Sequence, residues 1–455
     1  MSLAVSRIGR RRLLSMTGAA AAAAALGACS GPEREEQPPA EPVGQADIDR
    51  ALTTPTTITF WTWVPDVQKE VALFKKKYPA ITVTVVNAGQ GLDAYTKLRT
   101  ALKAGTGAPD VAQIEFQYIP TFSLTNSLVD LRPYGAEATR EKFVDWTWGQ
   151  VTGPKGEILA YPQDTGPMGM LYRADLFDRH GIEVPATWND FAAAARKLHA
   201  ADPGVYLTNI AANEPAAWHG LMWQAGSKAY TVNGTELGLA VDDEAARKVA
   251  DYWGGLAREK LISTDPDFTD TWYQGLNSGK YATWLTAAWG SVFLTGSAKA
   301  TAGKWRAAPL PQWDPARPVA GNWGGSTSAV ITGTKNPIAA AKFAEFLNTD
   351  HEVTKLFTTA QNFFPATKAL LADPAFTGAE NAFFGGQRVN ELFAGISGTV
   401  DVGWQWPPFL DQASKDWTET AGKALTGGGD VAAAIGAWQE RLTAYAEDQG
   451  FTVVE

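Results

Sequence analysis

The chain has few of the residues that usually announce chemistry. Its 455 residues include one cysteine, Cys29, and four histidines. A single cysteine excludes an intrachain disulfide, a Cys-rich zinc site and a CxxC redox pair. His180, His199, His219 and His351 are scattered, with no HExxH and no metal-ligand spacing, so each reads as a surface or core histidine. The chain contains no GxxxxGK(S/T) phosphate loop and no GxSxG nucleophile elbow. Asp265-Pro266-Asp267 begins like a calcium loop but lacks glycine at position six and glutamate at position twelve. The paired carboxylates of a glycosidase leave no diagnostic spacing, because partners that meet in a fold can lie far apart in sequence. No solenoid-type repeat is present. Neither metal nor cofactor is expected.

Positive charge is also scarce. Lys and Arg total 39 against 48 Asp and Glu, a net charge of −9. Four of the arginines (Arg7, Arg10, Arg11 and Arg12) fall in the first 28 residues, which hold no acid; the rest carries 35 basic against 48 acidic side chains, a balance of −13. Nucleic-acid binding needs Lys and Arg to displace counterions, so no nucleic-acid partner is expected.

Apolar residues, by contrast, make up 45% of the chain, enough for large cores and too many for wholesale disorder. The length suggests two or three domains. Tryptophan, at 18 residues, is well above ordinary usage, and core packing alone does not call for so many rings. The first 29 residues read as a targeting segment. Arg10-Arg11-Arg12-Leu13-Leu14 fits a twin-arginine pattern, and the Ala-rich stretch from Leu13 to Ala28 is shorter than a membrane-spanning helix. Leu26-Gly27-Ala28-Cys29 resembles the lipobox of bacterial lipoprotein precursors, in which the cysteine becomes the lipid-bearing first residue. Residues 1–28 are then a signal peptide, removed from the mature chain. Residues 29–54, rich in Pro, Glu and Gln, read as a flexible tether between a lipid on Cys29 and a soluble body.

The body opens with strand, helix, strand, helix, strand: Thr57 to Phe60, a helix over 67–77 with Val67, Val71, Phe74 and Tyr78 on one face, Ile81 to Val86, a helix over 93–104, and a short strand entered at Pro109-Asp110-Val111. That order implies a parallel sheet with crossover helices, in which ligands sit beyond the C-terminal strand ends. A second unit follows. Met168 to Tyr172 is strand-like, a helix over 174–180 ends at Gly181, and Thr187-Trp188-Asn189-Asp190 has a capping-box pattern. Further amphipathic helices are expected over 242–260 and 336–348, the second opened by Pro337, and over 411–450 with a break at Gly427-Gly428-Gly429.

FWTWVPDVQKEVALFKKKYPAITVTV (60–85), Ala108-Pro109-Asp110-Val111, YPQDTGPMGMLYRADLFDRHGIEVPATWNDF (161–191) and NWGGSTSAVITGTKNPIAAAKFAEFLNT (322–349) together resemble the extracellular solute-binding proteins of ABC sugar importers, the maltose-binding-protein-like group. The resemblance spans about residues 55–450. It implies an α/β fold of two periplasmic-binding-protein-like lobes (type II), joined by two or three crossing segments, with a ligand cleft between them that closes by hinge motion. The N-lobe would comprise 55–162 and 326–375, and the C-lobe 163–325 and 376–455.

A sugar ring is held by flat aromatic surfaces against its C–H face and by carboxylates, amides and backbone groups around its hydroxyl rim. Trp289 resembles the family's stacking tryptophan after the central C-lobe strand (281–285), Trp404 and Trp406 in VGWQWPPF its C-terminal aromatic contribution, and Trp218 a further cleft aromatic. Trp63 and Trp323 lie in loops beyond strands. Trp146, Trp148, Trp253, Trp417 and Trp438 sit on helical patterns and are assigned to packing. The polar candidates are Gln90, Glu115, Gln117 and Asp164; an ionised carboxylate accepts two hydroxyls at once, and the alternative role for Asp164 is capping of a crossing strand. Gly324 and Gly325 either let backbone N–H groups approach a ligand or form a hinge turn. The resemblance implies a monomeric, non-enzymatic binding lipoprotein that delivers a carbohydrate, an oligosaccharide on the number of candidate platforms, to ABC permease subunits at the outer face of the membrane. A secreted Trp-rich glycoside hydrolase is the competing reading, and a binding protein for a non-sugar solute a third.

Overall fold

The computed structural model describes residues 41–454. The signal peptide, Cys29 and the tether up to residue 40 lie outside the described residues.

Alternation and burial set the first lobe. Thr56–Trp61 (β1) turns Ile58 and Phe60 into the core, and Ile81–Val86 (β2) starts from a buried Ile81. Val111–Glu115 (β3) is buried at its first four positions, the pattern of a strand covered on both faces. β1 pairs in parallel with β2 on one side and β3 on the other. The crossover helices Gln68–Lys77 and Leu92–Ala104 lie within a residue of the periodicity that foretold them, and Gly105 ends the second in the left-handed region. Tyr161–Pro162 (β4) is followed by the second lobe's Met168–Arg173 (β5), Tyr230–Asn233 (β6), Glu236–Leu239 (β7), Thr283–Ala287 (β8) and Trp305–Pro309 (β9). The chain then returns as Ser326–Val330 (β10), and Thr452–Val454 (β11) ends the fold.

The first-lobe sheet runs β2-β1-β3-β10-β4. It is parallel only through β1 to β3, because β10 arrives from the opposite lobe and pairs antiparallel with both β3 and β4. The second lobe holds the antiparallel sheet β8-β5-β9 and a small sheet β11-β7-β6. The crossing segments lie side by side, Asp164 bridging to Pro365 and Pro167 to Asn322. The chain is thus the two-lobed α/β fold expected of it, with three strands of chain crossing between lobes.

Local signals translated closely. Ala174–His180 ends at a left-handed Gly181, the capping box of Thr187 and Asp190 opens Trp188–Ala201, and Pro337 opens Pro337–Thr349. One expectation is corrected within the tether. Gln45–Thr53 is a helix packed against Pro337–Thr349, and the Val43 N–H bonds the Pro133 carbonyl at 2.8 Å. Ile48, Ala51 and Leu52, half-buried at i, i+3 and i+4, supply the apolar stripe that a composition reading passes over.

Candidate functional site

Strand ends from both lobes converge where the chain crosses. A small cavity lies there, lined by Met168 and Leu285 from β5 and β8, by Asn209, Glu214 and Trp218, by Asp267, and by Trp323 on the returning crossing. Glu214 immediately precedes the helix Pro215–Ala225, whose proline sits in the first turn and whose Trp218 is buried. Asp267 is fixed from two sides. The Asn209 amide donates to its carboxylate at 2.5 Å, and its own N–H donates to Asn213 Oδ1 at 3.0 Å. Burial pushes the Asp267 carboxyl up to about 8, with Glu214 and Asp265 adding to the rise and Asn209 opposing it. Burial likewise pushes Glu214 up to about 7, and the largest further contribution comes from Glu115 of the first lobe. Glu115 ends β3. Its carboxyl is raised by burial and by Asp164, while the Tyr95 hydroxyl, donating at 2.9 Å, counteracts this. Carboxyls from the two lobes thus feel one another across the cleft.

A hydrogen-bond chain ties the first lobe to the hinge. Thr62 Oγ1 and the Trp63 N–H donate to Gln113 Oε1 at 2.7 and 3.2 Å, and Gln113 Nε2 donates to Ser326 Oγ at 2.8 Å. The Ser326 hydroxyl in turn donates to Asp164, whose Oδ1 also accepts the Ser326 N–H at 3.0 Å. Burial raises the Asp164 carboxyl to about 6 against these bonds. The lobes also touch away from the hinge. Asp411 on Leu410–Trp417 accepts the Tyr118 hydroxyl at 2.8 Å and pairs with Arg99 at 2.8 Å, and Trp146 meets Trp223 edge-on at 6.0 Å. Among the described residues no cluster of three or more His, Cys, Asp or Glu is arranged to hold a metal ion.

Residues 61–353 match the family described as "Bacterial extracellular solute-binding protein". The chain belongs to that family. Among similar proteins is an arabinooligosaccharide-binding protein of Halalkalibacterium halodurans, 22% identical over 361 residues, 76% of this chain and 79% of the relative. Two solved structures share the fold. One is an ABC-transporter-associated binding protein of B. animalis subsp. lactis in complex with β-1,6-galactobiose, 32% identical with a TM-score of 0.75, covering 88% of this chain and 99% of that one. The other is the galacto-N-biose/lacto-N-biose I-binding protein of Bifidobacterium longum, 28% identical with a TM-score of 0.76, covering 88% and 98%. The family description places such chains outside the cytoplasm.

Within this solute-binding protein the sequence-predicted residues divide. Trp218 and Trp323 line the cavity. Trp289, half-buried, stands edge-on to Trp323 at 4.9 Å and donates its indole N–H to the Trp323 carbonyl at 2.9 Å. Glu115 does not line the cavity, though its charge adds to the rise of the Glu214 carboxyl, and Gln117 is 6% exposed with its Oε1 unpartnered. Trp63 belongs to a separate first-lobe pocket with Trp61, Tyr95 and Gln113. Gln90 is exposed and lines neither cavity. Asp164 lies on the crossing and accepts from the Ser326 N–H and hydroxyl, and it is not among the residues that line the cavity. Gly324 and Gly325 form a turn on the returning crossing with positive φ at both: Gly325 has φ +89°, and a Cβ there would sit 2.7 Å from the Asp164 carbonyl oxygen.

Trp404 and Trp406 stand apart from the cavity and are corrected to packing residues. Both are 3% exposed. Trp404 stacks on Trp223 with centroids 5.3 Å apart, Trp406 lies 5.3 Å from His219, and the Trp404 carbonyl accepts Gln150 Nε2 at 2.7 Å. Three residues at the cavity escaped sequence reading. Asp267 figured only as part of a failed calcium loop, and Glu214 and Asn209 carried no motif. The partners Asn209 and Asp267 are 58 residues apart, so no local spacing reveals them.

Proposed function

We propose that this solute-binding protein captures a carbohydrate, an oligosaccharide rather than a single ring, between its lobes and delivers it to an ABC permease without chemical change. The observation that carries the reading is the cavity itself. Carboxyls (Glu214, Asp267), an amide (Asn209) and indole faces (Trp218, Trp323) meet around one space at the crossing, which is the complement of a sugar's hydroxyl rim and C–H face. The two bifidobacterial relatives were solved with β-1,6-galactobiose and lacto-N-biose, and the Halalkalibacterium relative is named for arabinooligosaccharides. The proposed site comprises Trp218, Trp289, Trp323, Glu115, Gln117, Glu214 and Asp267, with Asp164, Gly324 and Gly325 as hinge residues and Trp63 as an outer first-lobe platform. Ligand bridging both lobes would shift an open–closed equilibrium that the permease reads. A lipid on Cys29 would hold the body at the outer face of the membrane; Cys29→Ser is expected to release the protein from the membrane fraction.

Calorimetry on the full chain with galacto-, arabino-, malto-, cello- and xylo-oligosaccharides, with chromatography of the mixtures, tests the reading. Saturable binding without product is expected. Product formation would replace the binding protein by an enzyme, and absence of binding across the set would remove the carbohydrate.

A further inference from the structure

Glu214 and Asp267 bring two carboxyls to one cavity from separate stretches of chain, and Glu115 of the first lobe, which does not line that cavity, acts on Glu214 from outside it. Acids in a buried site normally bring their own counter-ions, since an unpaired buried charge is costly. Here none is at hand. Every charged neighbour that perturbs Glu115, Glu214 or Asp267 is another carboxyl: Asp164 on Glu115, Glu115 on Glu214, Glu214 and Asp265 on Asp267. The nearby cation, Lys280, is engaged by Asp265 and does not line the cavity.

A second observation is independent of the acids. Trp218 borders the cavity, is 1% exposed, and its indole N–H has no acceptor. The unspent groups are therefore one donor among several acceptors. A hydroxyl satisfies both at once, accepting from the indole and donating to a carboxyl. A fully ionised phosphate or a uronate accepts from Trp218 but can donate nothing to carboxylates, and where Glu214 and Asp267 are ionised it adds a like charge to them. An ammonium supplies donors and the missing positive charge.

We infer that Glu214 and Asp267 are specificity-determining residues that, once ionised, disfavour anionic sugars, so that the ligand is an uncharged or amino-substituted carbohydrate rather than a sugar phosphate or a uronate. The inference rests on the carbohydrate reading above and adds the charge class of the ligand. Neutrality is enforced by acids without counter-ions, and the specificity is built as much from repulsion as from attraction.

The test is calorimetry on the full chain at pH 8.5, with neutral disaccharides of galactose, glucose, xylose and arabinose set beside analogues that carry a uronic acid, a phosphate or an amine. The best neutral disaccharide is expected to bind at least about 100-fold more tightly than its acidic analogues, in line with the cost of juxtaposed like charges, and the amino analogue at least as well as the neutral one. In Glu214→Gln/Asp267→Asn that ratio of neutral to acidic affinity should fall at least tenfold; the single variant Glu214→Gln, expected to move it in the same direction, serves if the double variant does not fold. An acidic analogue as the tightest binder, or one within threefold of its neutral partner, overturns this inference and leaves the carbohydrate reading standing. An unchanged ratio in the folded variants overturns the assignment to Glu214 and Asp267. A panel in which nothing binds overturns both readings.

Discussion

Trp404 and Trp406 lie with Trp223, His219 and Tyr230, every ring within about 6.3 Å of a neighbour. Trp289 and Trp323 lie with Phe268 and Trp284 at similar spacings. The two groups share the second lobe, the residue type and the mostly edge-on geometry, yet they differ in what closes them. The first is sealed on all sides: His219 bonds the Pro215 carbonyl at 2.7 Å and the Tyr230 hydroxyl at 3.1 Å, and Trp223 donates to the Asp401 carbonyl at 2.9 Å. The second fronts the cavity through Trp323, and one of its members, Phe293, is 43% exposed. Ring area in the first group is consumed by the fold. In the second, part of it is left for a ligand.

The sharpest way to break that division is Trp404→Ala. A fully buried indole lost from a sealed cluster should destabilise the protein by about 3–5 kcal/mol, read as a lower denaturant midpoint, while the folded fraction keeps its carbohydrate affinity. Near-normal stability with lost affinity would move Trp404 back to the cleft. The complementary change, Trp289→Ala, removes a half-buried ring beside the cavity. It should lower affinity about two- to tenfold, on the order of the 0.5–1.5 kcal/mol that an aromatic pair adds beyond its burial, at a smaller cost in stability than Trp404→Ala. Equal stability losses from the two would erase the distinction.

The reason sequence reading put both groups in one class is physical. Gly181 past a helix end and Thr187 with Asp190 at a helix start are legible because the interacting atoms lie three to five residues apart. Trp404 sits in VGWQWPPF, a loop by its prolines and glycine, and loop aromatics look available. Its burial is decided by Trp223 and Gln150, the latter 254 residues away. Asp267 suffers the opposite fate, a loop acid that looks solvated until Asn209 and Glu214 close over it. The antiparallel entry of β10 was likewise invisible locally, since it follows from the route of the chain through the second lobe rather than from the strand itself. The two-lobe plan was readable because whole segments carried it, and the floor of the cleft was not.

Titration separates the two groups again. His219 in the sealed group is pressed down to about 4 by burial, so about a pH unit above the ordinary value of 6.5 it is neutral whether the chain is folded or not. Beside the open group, burial raises Glu214 to about 7 and Asp267 to about 8 from ordinary values of 4.5 and 3.8. A carboxyl raised in the folded state binds its proton more tightly there than in the unfolded chain. Its contribution is therefore fully present below the unfolded value and is lost as pH rises through the folded one. Melting temperature of the unliganded protein should fall between pH 6.5 and 9, and Glu214→Gln/Asp267→Asn should flatten that slope, whereas Trp404→Ala should lower the whole curve and leave its slope. An unaltered slope in the carboxyl variant would assign the pH dependence elsewhere.

The smallest effect concerns how the open group is aimed. Phe268, next to Asp267, has φ +62°, a left-handed conformation that bulky side chains rarely adopt. Its ring spans Trp284, Trp289 and Trp323 at 6.1–6.3 Å, so ring packing holds a strained backbone in the turn that also presents the Asp267 carboxyl. Substitution by alanine and by glycine separates strain from packing, because both remove the ring and only glycine relieves the φ angle. Phe268→Gly should be more stable than Phe268→Ala by about 1 kcal/mol, the reverse of the order these residues show in a helix, and both should bind carbohydrate more weakly than the wild type. If alanine proves the more stable of the two, the turn is not strained, and the placement of Asp267 rests on Asn209 and Asn213 alone.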